Sequence, residues 1–178
     1  MQRTLPGSIL QIDDAVPGAA NTLMTALFAG GNLMLSQVSN ISGLETYVIQ
    51  NWVARGFLSP PQNKRYSSRQ LCRILIINML KGVLPLESIC RLLSYVNGHL
   101  NDESDDTVDD SQMYLWLSAL TAQTQGEPDY AACLADYIEP FPGARRRVEQ
   151  VLHIIVTAYA SAELKHRAEA MIAELDEK

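Results

Sequence analysis

The sequence predicts a mostly α-helical fold. Apolar residues recur at helical spacing, most plainly in Val148, Val151, Leu152, Ile155, Ala158, Tyr159 and Ala162. Helix punctuation recurs as well, with glycines closing apolar-periodic runs at Gly56, Gly82 and Gly98. One stretch breaks the pattern: Phe57-Leu58-Ser59-Pro60-Pro61-Gln62-Asn63-Lys64-Arg65-Tyr66. Two prolines fix an extended path there, and a polar turn with a basic tip follows. A short helix, a second helix and then a rigid basic loop form a winged helix-turn-helix. Additional helices are expected on its N- and C-terminal sides.

Taken in order, residues 1–16 show no regular period and are expected to be irregular. Residues 17–30 read as a helix between Pro17 and Gly30-Gly31. A short helix starts near Ser36. Ser42-Gly43-Leu44-Glu45 has the S-x-x-E form of a capping box and is expected to open a helix over 44–55, closed by Gly56. At 100° per residue, Val48, Ile49, Trp52 and Val53 fall on one side of that helix and Thr46, Tyr47, Gln50, Asn51 and Ala54 on the other. Ser67-Ser68-Arg69-Gln70 offers a second capping box, and the run after it is apolar almost all round, as a central buried helix should be. Pro85 and Glu87 begin another helix over 85–96. The acidic run 101–110 is expected to be a solvated linker, and three helical stretches follow at roughly 110–124, 129–138 and 144–175. The implied organisation is an N-terminal segment with one helix (1–32), the winged helix-turn-helix (33–98), an acidic linker (99–110) and a C-terminal helical region for dimerisation or effector binding (111–178).

Net charge is −6, which by itself argues against nucleic acid, but the charge is sorted. No acid occurs from Thr46 to Leu86, where the bases are Arg55, Lys64, Arg65, Arg69, Arg73 and Lys81. From Glu87 to Glu139 there are eleven acids and one base, Arg91. Such segregation suggests a basic face. The candidate DNA contacts are Thr46, Tyr47, Gln50 and Asn51, whose amides and hydroxyls suit base edges and phosphates, and Arg55, Lys64, Arg65 and Arg69 as phosphate partners. Tyr66 belongs to the same loop, chiefly as a packing aromatic.

Leu35-Ser36-Gln37-Val38, Ser42-Gly43-Leu44, Ile49, Trp52, Gly56-Phe57-Leu58 and Arg65-Tyr66-Ser67 resemble the DNA-binding domain of MerR-type regulators over about 35–96. Within that group the chain is most similar to uncharacterised bacterial proteins with the pattern seen here in Asn51, Gly56, Pro61 and Lys64-Arg65-Tyr66-Ser67. The resemblance implies a transcription regulator that binds double-stranded DNA as a homodimer, with an unknown small-molecule or protein effector a further possibility. MerR relatives often carry arginine at the positions of Tyr47 and Gln50, so phosphate clamping here would rest on Arg55, Lys64, Arg65 and Arg69. The alternative is a protein-interaction module that keeps the scaffold without binding DNA.

The remaining residues indicate no other chemistry. No Ser-His-Asp set, phosphate loop or metal-ligand spacing is present, so no enzymatic activity, metal or cofactor is expected. The cysteines Cys72, Cys90 and Cys133 form no CxxC pair. No apolar run reaches the ~18–20 residues that span a bilayer, and the N-terminal residues lack a signal-peptide core. A cytoplasmic protein without membrane contact is expected.

Overall fold

The computed structural model describes residues 2–100, 106–123 and 127–176. It is mostly helical. Among the described residues the elements run in the order β1 (Gln2–Thr4), β2 (Gln11–Asp13), α1 (Ala19–Leu27), β3 (Leu33–Met34), α2 (Leu35–Ser42), α3 (Thr46–Ala54), β4 (Arg65–Tyr66), α4 (Ser68–Leu80), α5 (Leu86–Asn97), α6 (Asp110–Ala122), α7 (Tyr130–Cys133) and α8 (Ala144–Asp176).

Helix α4 is the axis of the fold. From Gln70 to Leu80 only Asn78 escapes full burial, as its nearly continuous apolar sequence requires. It is started by the Ser67 capping box. The Ser67 hydroxyl accepts from the Gln70 amide at 3.3 Å, and the Gln70 side chain accepts from the Ser67 amide at 2.9 Å. Around α4 lie α2 through Val38 and Ile41, α5 through Ile89, Leu93 and Val96, α6 through Met113, Tyr114 and Leu117, and α8 through Val148, Leu152 and Ile155. All of these belong to one hydrophobic cluster, so the helices after the acidic run share a core with those before it.

The sequence led to irregular structure over residues 1–16, and this is corrected. Strands β1 and β2 pair antiparallel, with Arg3 opposite Ile12. Three-residue strands are too short for their alternation to be read from sequence. Their connecting turn lies on α4: Leu5 is fully buried, Asn78 Nδ2 donates to the Gly7 carbonyl at 2.8 Å, and Tyr114 Oη donates to the Pro6 carbonyl at 2.8 Å.

The capping box expected at Ser42 is not formed. Ser42 is the last residue of α2, buried, with its hydroxyl donating back to the Val38 carbonyl at 2.8 Å. Glu45 precedes α3 without a side-chain cap. Part of the acidic run also departs from expectation. Residues 101–105 lie outside the described residues, but Thr107 and Val108 are buried, and the Thr107 amide donates to the Val96 carbonyl at 2.8 Å. Asp109 caps α6 by accepting from the Ser111 amide at 2.7 Å, and Asp110 is buried. Arginines of α4 face these carboxylates, Arg69 beside the half-buried Asp109 and Arg73 beside the buried Asp110, as described below. Helix α7 is a single turn where a longer helix was expected.

Candidate nucleic-acid interface

Helix α3 divides as its periodicity requires. Ile49 and Trp52 are buried, with Val48 and Val53 half-buried beside them. Thr46, Tyr47, Gln50, Asn51 and Ala54 face solvent, Tyr47 with 68% of its surface exposed. None of the side chains of Thr46, Tyr47, Gln50 and Asn51 makes a hydrogen bond or ion pair among the described residues. The helix ends at a Schellman motif. The Gly56 amide donates to the Val53 carbonyl at 3.1 Å and the Phe57 amide to the Trp52 carbonyl at 2.9 Å, with Gly56 left-handed at φ 74°. That turn redirects the chain so that Leu58 enters the core.

The loop after α3 returns as a hairpin. Strand β4 pairs antiparallel with β3, Leu33 opposite Tyr66 and Met34 opposite Arg65, and Gln62 pairs with Arg65. Between them Asn63 and Lys64 both have positive φ, 49° and 61°. This is the two-residue turn whose twist matches that of paired strands. Asparagine tolerates such a conformation, whereas a lysine there is strained by about 1–2 kcal/mol. Gln70 holds the base of the hairpin. Beyond its capping role, its Nε2 donates to the carbonyls of Ser59 at 2.9 Å and Pro60 at 3.0 Å. The S-x-x-Q motif signals the cap; nothing in the sequence signals that the same amide anchors the loop. A cleft of about 640 Å³ lies between hairpin and α4, lined in part by Asn32, Pro60, Arg65, Arg69 and Arg73.

The expected cations have diverged in their surroundings. Lys64 projects from the hairpin tip with no partner among the described residues. Arg65 is exposed, and its Nη1 donates to the Asn32 carbonyl at 2.9 Å, across the ladder. Arg55 pairs with Glu87 at 2.7 Å and lies over the Phe57 ring at 4.5 Å. Arg69 is bracketed by two carboxylates, Asp106 and Asp109, the latter at 3.0 Å from its Nε. Arg73 and Asp110 face each other at 3.5 Å with only 6% and 7% of their side chains exposed. Burial outweighs the nearby Arg73 and Arg69 charges and pushes the Asp110 carboxyl above its usual range. Tyr66 is buried, which raises its hydroxyl, and it acts in packing. The fold therefore brings Thr46, Tyr47, Gln50 and Asn51 onto one free face and places Lys64 and Arg65 at the hairpin, while Arg55 and Arg69 are held by acids.

Other candidate chemistry is quiet. Burial pushes the Cys72 thiol up to about 12, so it stays protonated at neutral pH. His153 is exposed and stacks on Tyr130 with ring centroids 3.6 Å apart. No group of His, Cys, Asp and Glu with metal-binding geometry occurs among the described residues. No helix among them is long and apolar enough to cross a membrane.

The candidate interface lies in a stretch with known relatives. Part of the chain is 31% identical over 78 residues to "Uncharacterized protein YkrK" of Bacillus subtilis (strain 168), an alignment covering 42% of this chain and 34% of that protein. The chain thus spans about a third of the length of this relative. No solved structure matches it. The model of the family described as "Domain of unknown function (DUF1836)" matches residues 22–115, from within α1 into α6, and the chain belongs to that family.

Proposed function

We propose that the chain is a sequence-specific DNA-binding transcription regulator, built on a MerR-like winged helix-turn-helix and working as a homodimer. Helix α3 enters the major groove, and the hairpin tip grips the flanking phosphates through Lys64 and Arg65. The observation that carries this reading is the pairing of a free, polar, acid-free α3 face with a neighbouring hairpin that keeps a lysine in the left-handed region. Glycine would occupy that position without strain. A charge retained there at a cost to stability suggests use of the charge.

Three substitutions test it. Lys64→Gly is expected to raise the unfolding free energy by about 1 kcal/mol while weakening binding. In a selection from random duplexes, the unchanged protein is expected to enrich a near-palindromic site. Lys64→Gly and Arg65→Ala should each lower the slope of log affinity against log salt by about one per protomer, without changing the preferred sequence. Asn51→Ala should instead relax the preference at one position, at a cost of about 1–3 kcal/mol for the matched base. Failure to enrich any sequence, with no salt dependence, would overturn the proposal.

A second reading has an observation of its own. Two of the four expected phosphate partners, Arg55 and Arg69, already face carboxylates, and the α3 face carries an exposed aromatic, Tyr47. A neutral face centred on an exposed tyrosine suits protein docking. On that reading Tyr47→Ala abolishes partner capture and Lys64→Gly leaves it intact.

A further inference from the structure

Helices α5 and α8 pack together in the core but leave a groove between them at the surface. Helix α5 buries Ile89, Leu93 and Val96. On its flank, Ser88, Arg91, Leu92 and Tyr95 fall at i, i+3, i+4 and i+7 and so share one face. With Leu84, Val151 and Ile154 that face forms an open groove of about 860 Å³. Its walls are mostly apolar, and Tyr95 and Ile154 are each 49% exposed. Apolar walls, a few polar groups and a volume of about 300–1,000 Å³ are the attributes of small-molecule sites, which often lie between the helices of a bundle.

The charge of this groove is unlike that of the chain around it. No acid occurs among its described lining residues, although eleven acids lie between Glu87 and Glu139. Arg91, the one base in that segment, lines the groove, and its side chain makes no hydrogen bond or ion pair among the described residues. Next to it in space, the Arg147 guanidinium lies over the rings of Tyr95 at 5.4 Å and Phe141 at 5.6 Å. It too has no carboxylate partner among the described residues. Arg55, Arg69 and Arg73 are all held by acids; these two are not. We propose that the groove binds a small organic acid, with its apolar body against Leu92, Val151 and Ile154 and its single carboxylate on Arg91. A guanidinium recognises a carboxylate through parallel N–H donors, and apolar walls beside the pair strengthen it. Tyr95 under Arg147, and His153 stacked on Tyr130 with centroids 3.6 Å apart, add flat rings to the lining, which suits an aromatic body. The proposal gives a chemical class to an effector and does not rest on what α3 binds.

Isothermal titration of the full chain with three probes tests it: 2-naphthoate, decanoate and the uncharged 2-naphthamide. For ligands of this size in an open groove, a dissociation constant of roughly 0.1–1 mM is expected for the better carboxylate. Tighter binding of 2-naphthoate would assign an aromatic acid, and tighter binding of decanoate an aliphatic one; either is the proposed class. The amide should bind more weakly than 2-naphthoate. Arg91→Gln should weaken the carboxylates by about tenfold or more and leave the amide nearly unchanged. Ile154→Glu, which places a like charge against the ligand, should abolish carboxylate binding. Arg146→Gln, an exposed base that does not line the groove, is the control and should change nothing. The substituted positions are exposed, so an unchanged melting temperature checks folding. Saturation by neither carboxylate would overturn the proposal and leave the groove to a macromolecular partner or a second copy of the chain. Binding insensitive to Ile154→Glu would place the ligand elsewhere, and equal losses of acid and amide in Arg91→Gln would show that the charge is not read; both would also overturn it. Because the titration contains no DNA, failure here leaves the reading of α3 standing, and failure of DNA selection leaves this site standing.

Discussion

Gly7→Ala is expected to destabilise the folded chain by roughly 3–4 kcal/mol. Gly7 sits at the β1–β2 turn with φ 68°, in the left-handed region, where a side chain costs about 1–2 kcal/mol. The space adds a second penalty. A Cβ there would stand 2.1 Å from the Leu75 carbonyl oxygen and 3.1 Å from the Met79 amide nitrogen. Both atoms are backbone of the buried helix α4, so the turn must lift. Lifting it strains or breaks the bonds from Asn78 to Gly7 and from Tyr114 to Pro6, each worth about 1 kcal/mol. Gly18→Ala is the control. Gly18 has φ 71° with nothing within 4 Å of the added carbon, so only the backbone penalty applies. Urea unfolding of both variants separates the two effects. Equal losses would show that the approach to α4 carries no weight.

That turn also marks where sequence reasoning stops. Helix α3 was legible because Ile49 and Trp52 recur at helical spacing and Gly56 supplies a left-handed close, both local properties. The α4 cap was legible because Ser67 and Gln70 lie three residues apart and bond to each other's backbone. Ser42 and Glu45 present the same spacing, yet Ser42 was taken up by the end of α2: two helices competed for one hydroxyl. The β1–β2 turn is fixed by Asn78 and Tyr114, 71 and 108 residues away, and no local pattern records that. The charge pattern was visible, but its pairing was not. Sequence shows a basic segment followed by an acidic one and suggests separate faces. The fold lays one against the other, through Arg55 with Glu87, Arg69 with Asp106 and Asp109, and Arg73 with Asp110. Of the candidate contacts, those whose placement depends only on α3 and on the hairpin turn were readable. Arg55 and Arg69, whose partners come from later helices and loops, were not.

The Arg73–Asp110 pair carries the other large expected effect, and the two partners are not equivalent. Removing the acid by Asp110→Ala leaves a buried guanidinium without a carboxylate and takes the acceptor from Asn97 Nδ2, 2.9 Å away. Arginine cannot shed its charge to escape, so the loss should be about 3–5 kcal/mol. Removing the base by Arg73→Met should cost less, because Asp110 can take up a proton. Its carboxyl is already raised by burial, and loss of the Arg73 charge raises it further. The sign of the pH dependence follows. A carboxyl whose pKa is higher folded than unfolded binds protons more tightly in the native state, so its contribution improves as pH falls through the folded value and worsens as pH rises. The deficit of Arg73→Met relative to the unchanged protein should therefore shrink on going from neutral to mildly acidic pH, while that of Asp110→Ala should not. Replacing both residues by apolar ones should recover much of the loss. A deficit for Arg73→Met that equals that of Asp110→Ala and stays constant with pH would refute the argument. The pair reaches the candidate interface directly, since Arg73 Nε also donates to the carbonyl of Phe57 at 3.2 Å, in the turn that closes α3. Asp110 thus orients the group that anchors the exit from α3. On the DNA reading, Asp110→Ala should weaken binding in the fraction that remains folded, although its carboxylate is buried and would itself repel a phosphate.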